Sequence, residues 1–197
     1  MDRHIDRRSL LLLLLGTDPE GRVADGINGI TRIQKFLFIL SRETSVREID
    51  ETYSFQAYKA GPYSPSIYDD LEFLENMGLL QGETVGEASE EEADDVEVLS
   101  FEDLIGDSGD QGGRAADAYE ERRFTLTKAG RRKVEELLQN PDFAPVVDAI
   151  RTVKSKYGRY SLSDLMYYVY TKYPEMTTQS EIKEQVLRRN LTLKKKY

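Results

Sequence analysis

The residue types that most often carry out catalysis are scarce in this chain. It contains no cysteine and a single histidine, His4, which excludes thiolate nucleophiles, cysteine zinc sites and most histidine-assisted hydrolysis. Asp69, Asp70 and Glu72 offer carboxylates, but adjacent helical positions point apart, so an exposed helix face explains them better. Residues 107–110 (DSGD) lack the spacing and the closing glutamate of a calcium loop. We therefore expect a non-enzyme with no catalytic residue, no cofactor and no metal ion.

The segment 55–80 carries the clearest local signals for positioning side chains. Gly61 and Pro62 are typical of a turn, because glycine permits an unusual φ and proline fixes the next one. Ser64 fits a helix N-cap, and Pro65 suits the first helical position. Apolar residues at spacings of three and four then predict a buried helix face. They are Ile67, Leu71, Leu74 and Met77, with Tyr68 beside them.

The end of this helix and the elements after it predict the fold. Gly78 is typical of a residue that ends a helix in the left-handed conformation, and Leu80 returns to the core. A strand at 124–127 follows, and Thr127 then caps a helix that reaches Leu138. This order is that of a winged helix. The predicted fold class is mainly α with a small β-hairpin wing, built as a winged-helix core plus a C-terminal helical annex.

Two helices are predicted before this segment. Residues 10–15 are all leucine and are followed by Gly16, which is typical of a buried first helix. Thr31 and Gln34 fit a capping box for a second helix that reaches about Arg42. The N-terminal arginines before the leucine run resemble an export signal, but the run is short and no cleavage site follows it. It is also too short to span a bilayer, so we expect a cytoplasmic protein that does not enter a membrane.

The C-terminal part of the chain is predicted to be helical throughout. Apolar residues repeat at three and four within 143–157. Two further helices are each introduced by a hydroxyl residue followed three positions later by an acidic one. These capping pairs are Ser161 with Asp164 and Thr178 with Glu181.

Charge is distributed unevenly along the chain. The formal net charge is −9, yet the stretch from Gln81 to Arg123 holds fifteen acidic residues against three arginines, a balance of −12. The rest of the chain therefore carries −9 less −12, or +3. The acidic, glycine-rich composition predicts a disordered insert at about 82–118. The predicted domains are a core at 1–140 that contains the insert, the annex at 141–190 and a basic tail at 191–197.

The charge of the predicted winged helix is not that of a typical DNA reader. Its helix at 65–77 holds four acidic residues and no basic one, and the wing is the most acidic part of the chain. Because phosphate neutralisation supplies most non-specific affinity, both elements would repel DNA. A basic cluster after the wing is either a nucleic-acid contact or a set of solvated helix faces. Its residues are Arg122, Arg123, Lys128, Arg131, Arg132 and Lys133.

Three stretches of the sequence resemble the SocA/Panacea antitoxin-like proteins and their winged-helix relatives. They are residues 29–38 (GITRIQKFLF), 55–64 (FQAYKAGPYS) and 68–71 (YDDL). The resemblance covers about residues 10–80 and is weaker over 124–138 and the annex. The long acidic insert departs from the family pattern.

The resemblance implies a small helical protein that neutralises a toxin or acts as a proteolytic adaptor or regulator. We expect a non-enzymatic interaction protein whose partner is a protein, either a toxin or a regulatory target. The alternative is a DNA-binding transcriptional regulator, and a homodimer is compatible with both. The candidate partner-binding residues are Gln34, Lys35, Tyr58, Gly61, Pro62, Tyr63, Ser64 and Tyr68.

Overall fold

The computed structural model describes residues 6–44, 46, 52–84 and 122–193. Within these ranges the chain is mainly helical with short antiparallel strands, which confirms the mainly α fold with a small β wing. His4, residues 107–110 and most of the acidic insert and of the basic tail lie outside the described residues. No helix in the described ranges is both long and apolar enough to cross a bilayer.

The elements are named here in chain order. They are α1 (Arg7–Gly16), β1 (Gly26–Asn28), α2 (Ile30–Glu43), β2 (Gln56–Tyr58), β3 (Gly61–Tyr63), α3 (Ser66–Asn76), β4 (Leu80–Thr84), β5 (Arg122–Leu126), α4 (Lys128–Gln139), a first 3₁₀ turn (Pro141–Phe143), α5 (Ala144–Tyr157), α6 (Leu162–Lys172), a second 3₁₀ turn (Pro174–Thr177) and α7 (Lys183–Leu193).

The described residues form two compact units. Of the described residues, the first unit contains 6–44, 46, 52–55, 64–83 and 122–159, and the second contains 56–63, 84 and 160–193. Helix α5 belongs to the first unit because it packs on α1 and α2. The domain boundary placed after residue 140 groups the helices differently and stays a prediction.

The first unit has the element order and strand pairing of a winged helix. Its three-stranded sheet has the order β1–β5–β4, so the last strand lies between the first two. Strands β1 and β5 are antiparallel, with Gly26 opposite Thr125 and Asn28 opposite Arg123. Helices α1, α2 and α3 precede strands β4 and β5, which flank the insert.

Helix α1 is the centre of the first unit. Asp6 caps it by accepting a hydrogen bond from the Ser9 backbone N–H at 3.0 Å. All six leucines at 10–15 are buried, because α1 packs against α2, α3, α4 and α5 on all sides. Lys154 of α5 is also buried and donates to the Thr17 carbonyl at 2.5 Å, just beyond the C-terminal end of α1. A cation at this end of a helix is favoured by the helix dipole.

The second unit combines the β2–β3 hairpin with the C-terminal helices. Gln56 pairs with Tyr63 and Tyr58 with Gly61, so the hairpin turn lies between Tyr58 and Gly61. The turn lies at Lys59 and Ala60 rather than at the predicted Gly61 and Pro62, which belong to strand β3, but Gly61 has the positive φ that is expected of it, +85°. The hairpin packs on the second 3₁₀ turn and on α6, and α6 packs on α7.

Several predicted helix ends are confirmed. Gly78 has φ +67°, and Leu79 N–H bonds to the Leu74 carbonyl at 2.9 Å, so α3 ends as expected. Thr127 caps α4 by accepting from the Gly130 N–H at 3.0 Å. Ser161 likewise caps α6, as its hydroxyl oxygen accepts from the Asp164 N–H at 3.1 Å.

Other predicted caps are wrong because the side chains have different partners. The N-cap of α2 is Gly29, with no side-chain hydrogen bond, so Thr31 and Gln34 form no capping box. Ser64 does not cap α3, whose N-cap is Pro65, since its hydroxyl donates instead to the Tyr53 carbonyl at 2.5 Å. Thr178 donates to the Glu175 carbonyl, and α7 begins only at Lys183.

Candidate protein-binding face of the third helix

Helix α3 is held in place by its buried face and by the backbone hydrogen bonds at its C-terminal end. Ile67, Leu71 and Leu74 are buried in the first unit, as their spacing predicts. Fully burying side chains of this kind is worth about 1.5–3 kcal/mol each relative to exposure. Gly78 and the backbone bonds around it end the helix, so the opposite face is presented on a rigid element.

The opposite face of α3 combines apolar and acidic side chains. Tyr68 and Met77 are exposed by 38% and 59%, and among the described residues they are the exposed large apolar side chains. Met77 was predicted to lie in the buried stripe, and this prediction is wrong because it is the C-cap residue, where the helical spacing ends. Asp69, Glu72 and Asn76 are exposed on the same side of the helix as Tyr68, whereas Met77 is nine positions from Tyr68 and therefore about half a turn away around the helix axis. We call Tyr68, Asp69, Glu72 and Asn76 the α3 face.

One arginine lies at each edge of the α3 face. The Arg8 guanidinium lies 3.6 Å from the centre of the Phe73 ring, a cation–π contact. On the other side, Arg122 donates to Glu75 at 2.7 Å. These contacts fix the edges of the α3 face, while Asp69 and Glu72 keep it acidic.

Asp70 anchors the buried side of the same helix. Sequence analysis placed it on the exposed face, but it is fully buried, because position 70 falls among Ile67, Leu71 and Leu74 in the helical repeat. Arg7 Nε lies 2.9 Å from Asp70 Oδ1 and 2.7 Å from Oδ2, and Arg8 Nε lies 3.4 Å from Oδ1.

Burial decides the ionisation of the groups around Asp70. It raises the pKa of Asp70 above its ordinary value, and the two arginines counteract this only in part. Burial and the nearby Asp70 charge also raise the pKa of Tyr53 well above 10.0. The Tyr53 hydroxyl donates to the Arg7 carbonyl at 3.0 Å. This cluster is therefore a structural link between α1 and α3 that orients the α3 face.

Gln34 fixes the chain just before α3. Its amide Nε2 donates to the Ser64 carbonyl at 3.1 Å, and its Oε1 accepts from the Ser64 N–H at 2.9 Å. Both side chains are buried. Helix α2 thereby holds the entry to α3 through one side-chain amide.

The structure spreads the predicted partner-binding residues over both units. In the first unit Gln34, Lys35 and Ser64 are buried, and only Tyr68 is exposed. In the second unit Gly61 and Pro62 are buried in β3, and the rings of Tyr58 and Tyr63 stack with centres 4.8 Å apart. Most of these residues therefore build the fold, and Tyr68 is the one that reaches the α3 face.

The predicted nucleic-acid residues all lie in the first unit but differ in their partners. Three are ion-paired, Arg122 with Glu75 at 2.7 Å, Arg131 with Asp25, and Lys133 with Glu136 at 3.1 Å. The other three are exposed and form no ion pair with any described residue. They are Arg123, Lys128 and Arg132.

Sequence reasoning missed the roles of Arg7, Arg8 and Asp70. In the sequence, the two arginines resemble only part of an export signal. In the structure they pair with the Asp70 carboxylate, which is 63 positions from Arg7 and 62 from Arg8. The usable signal was the position of Asp70 within an apolar stripe, since a buried carboxylate needs a charged partner.

The described residues contain no group of three or more histidine, cysteine or acidic side chains that could hold a metal ion. No protein-family model matches the chain, and no curated protein matches it either.

Proposed function

We propose that this protein is a non-enzymatic winged-helix protein that binds a protein partner through the α3 face. The observation that carries the proposal is that Tyr68, one of the two exposed large apolar side chains among the described residues, lies on this face beside Asp69 and Glu72. Tyrosine is enriched in protein interfaces relative to the rest of the surface.

The charge of the α3 face defines the chemistry of the partner. Asp69 and Glu72 lie beside Tyr68 on the helix, so the complementary surface is cationic and offers a pocket for an aromatic ring. This agrees with the resemblance to antitoxin-like proteins, in which the partner would be a toxin or a regulatory target.

The same face argues against a transcription factor that reads DNA with α3. Base edges are read by arginine, lysine, asparagine or glutamine, and α3 offers one such side chain, Asn76, at its C-terminal end. Its acidic residues would also face phosphates at close range.

The test uses matched charge reversals on two exposed helical acids. Tyr68→Ser and Asp69→Lys change the α3 face, whereas Glu135→Lys changes an exposed acid on α4. Each protein is immobilised and exposed to extract of the native host, with and without nuclease treatment, and the captured proteins are identified and then purified for direct titration.

We expect a purified partner whose affinity falls at least tenfold with Tyr68→Ser and with Asp69→Lys, but changes little with Glu135→Lys. Equal affinity of all four proteins for every captured partner would rule out the α3 face. Capture that disappears after nuclease treatment would favour the DNA-binding alternative.

A further inference from the structure

The second charged surface of the first unit consists of Arg123, Lys128 and Arg132, which we call the basic patch. Within the ranges that the structure describes, these three exposed cations have no ion pair, unlike their neighbours Arg122 and Arg131. Exposed cations of this kind are available to a ligand.

The basic patch draws on two elements that follow one another in the chain. Arg123 lies on β5, four positions before the Thr127 cap of α4. Lys128 and Arg132 are four residues apart on α4, so they lie on the same side of this helix. Lys128 is the first residue of α4, where the helix dipole disfavours a cation, so this charge does not stabilise its own helix.

The composition of the basic patch indicates what binds it. The exposed large apolar side chains among the described residues are Tyr68 on α3 and Met77 at its C-cap, and none lies between residues 122 and 139. Protein interfaces depend on apolar and aromatic anchors, whereas contacts to a nucleic-acid backbone need no such anchor and use arginine and lysine together with other polar groups.

We infer that Arg123, Lys128 and Arg132 contact the phosphate backbone of nucleic acid without reading its sequence. The surface is distinct from the α3 face, and the inference does not depend on the proposed protein partner. Binding is weak and falls steeply with salt, since the chain as a whole carries −9.

The test is a salt titration of the full-length protein with a labelled duplex of random sequence. The patch variant is Arg123→Gln, Lys128→Gln and Arg132→Gln together. Its matched control replaces three exposed but ion-paired arginines, Arg22→Gln, Arg151→Gln and Arg188→Gln, and so changes the net charge equally. Thermal unfolding of each protein confirms that it is folded.

We expect the slope of log affinity against log salt to fall by about 0.9 for each phosphate contact removed, hence by nearly three in the patch variant. The control should keep the wild-type slope. If the patch variant does not fold, Lys128→Gln alone should lower the slope by about 0.9.

Three results would overturn the inference. The first is an equal loss of affinity in the patch variant and the control, and the second is no binding at about 50 mM salt. The third is tighter binding of polyglutamate than of the duplex, which would assign the patch to an acidic protein segment.

Discussion

Gln34 and Ser64 lie 30 positions apart and are joined by two hydrogen bonds, one in each direction, between a side-chain amide and a backbone. The amide of Gln34 thus supplies the donor and the acceptor that a neighbouring strand would supply. Without it, the Ser64 C=O would keep the Ile67 N–H at 3.4 Å, but the Ser64 N–H would lose its partner, which makes the entry to α3 sensitive to a single side chain.

Replacing Gln34 with leucine should destabilise the first unit strongly. A buried polar group left without a partner costs about 1–3 kcal/mol, and the Ser64 N–H becomes such a group, so Gln34→Leu should lower the free energy of unfolding by about 1–3 kcal/mol. Denaturant titration measures this free energy of unfolding. Gln139→Leu, at an exposed position of α4, is the control and should change the value by less than about 0.5 kcal/mol. Similar values for both variants would show that the Gln34 bonds contribute little.

The glycine at 61 should be hard to replace. It has φ +85°, and a Cβ there would lie 2.9 Å from Cε2 of Tyr170, so Gly61→Val should cost roughly 1–3 kcal/mol through backbone strain and crowding. Gly78 also has positive φ, but a Cβ there meets nothing within 4 Å. The thermal midpoint should therefore fall further for Gly61→Ala than for Gly78→Ala. Equal midpoints would exclude a steric role for Tyr170.

Stability should rise with pH above neutrality because of Lys154. Burial lowers its pKa from 10.5 to about 8, although Asp18 opposes the shift. Between these two values the unfolded chain binds a proton that the folded chain does not, so the free energy of unfolding increases with pH, by at most about 1.4 kcal/mol per pH unit. Below pH 8 both states hold the proton, and this contribution is absent.

The measurement compares the pH dependence of stability in wild type and Lys154→Met, with Lys156→Met as the control. Lys154→Met should lose the rise between pH 8 and 10, and the control should keep it. Above pH 10 the raised pKa values of Tyr53 and Tyr170 act in the opposite direction, since the unfolded chain releases phenolic protons first. Parallel profiles for wild type and Lys154→Met would contradict the assignment.

The acidic insert should be dispensable for folding. The structure extends β4 to Thr84 and begins β5 at Arg122. The deletion must therefore begin after Thr84, and not at about residue 82, where the predicted insert begins. Removing residues 86–120 and joining the ends with Asn-Gly should change the free energy of unfolding by less than about 1 kcal/mol, because the composition predicts few core contacts. Loss of cooperative unfolding in the deletion variant would show that the insert is structural.

The same deletion should strengthen binding to random duplex DNA. The segment 86–120 has a balance of −12, so its removal changes the formal net charge from −9 to +3. Wild type should bind with a dissociation constant of roughly 10⁻⁴ M or weaker at physiological salt, and the variant should bind more tightly with a steeper salt dependence. Unchanged affinity would show that the insert does not oppose the DNA. Sub-micromolar, sequence-selective binding by wild type would favour the regulator alternative.

The sequence predicted those features that depend on neighbouring residues. The caps at Gly78, Thr127 and Ser161 each use partners within a few positions, and all three are present. The winged-helix order was also predictable, because α3 and β5 carry their own periodicities.

Features that depend on distant partners could not be predicted in this way. Gln34 fits a capping box locally, yet its amide bonds to Ser64, which is brought close only by the fold. The pairing of Arg7 with Asp70 has the same cause. For helix α3, the sequence identifies Asp69, Glu72 and Tyr68, but not the exposure of Met77, since this depends on the helix ending one residue earlier.

The hairpin β2–β3 has a consequence for synthesis on the ribosome. It emerges after Tyr63, but the helix α6 against which it packs begins at Leu162, about a hundred residues later. At translation rates of about 5–20 residues per second, the hairpin waits roughly 5–20 s for its partner. During that interval the nascent chain carries a two-stranded element that is marginally stable alone, and a nascent-chain chaperone is suited to protect it.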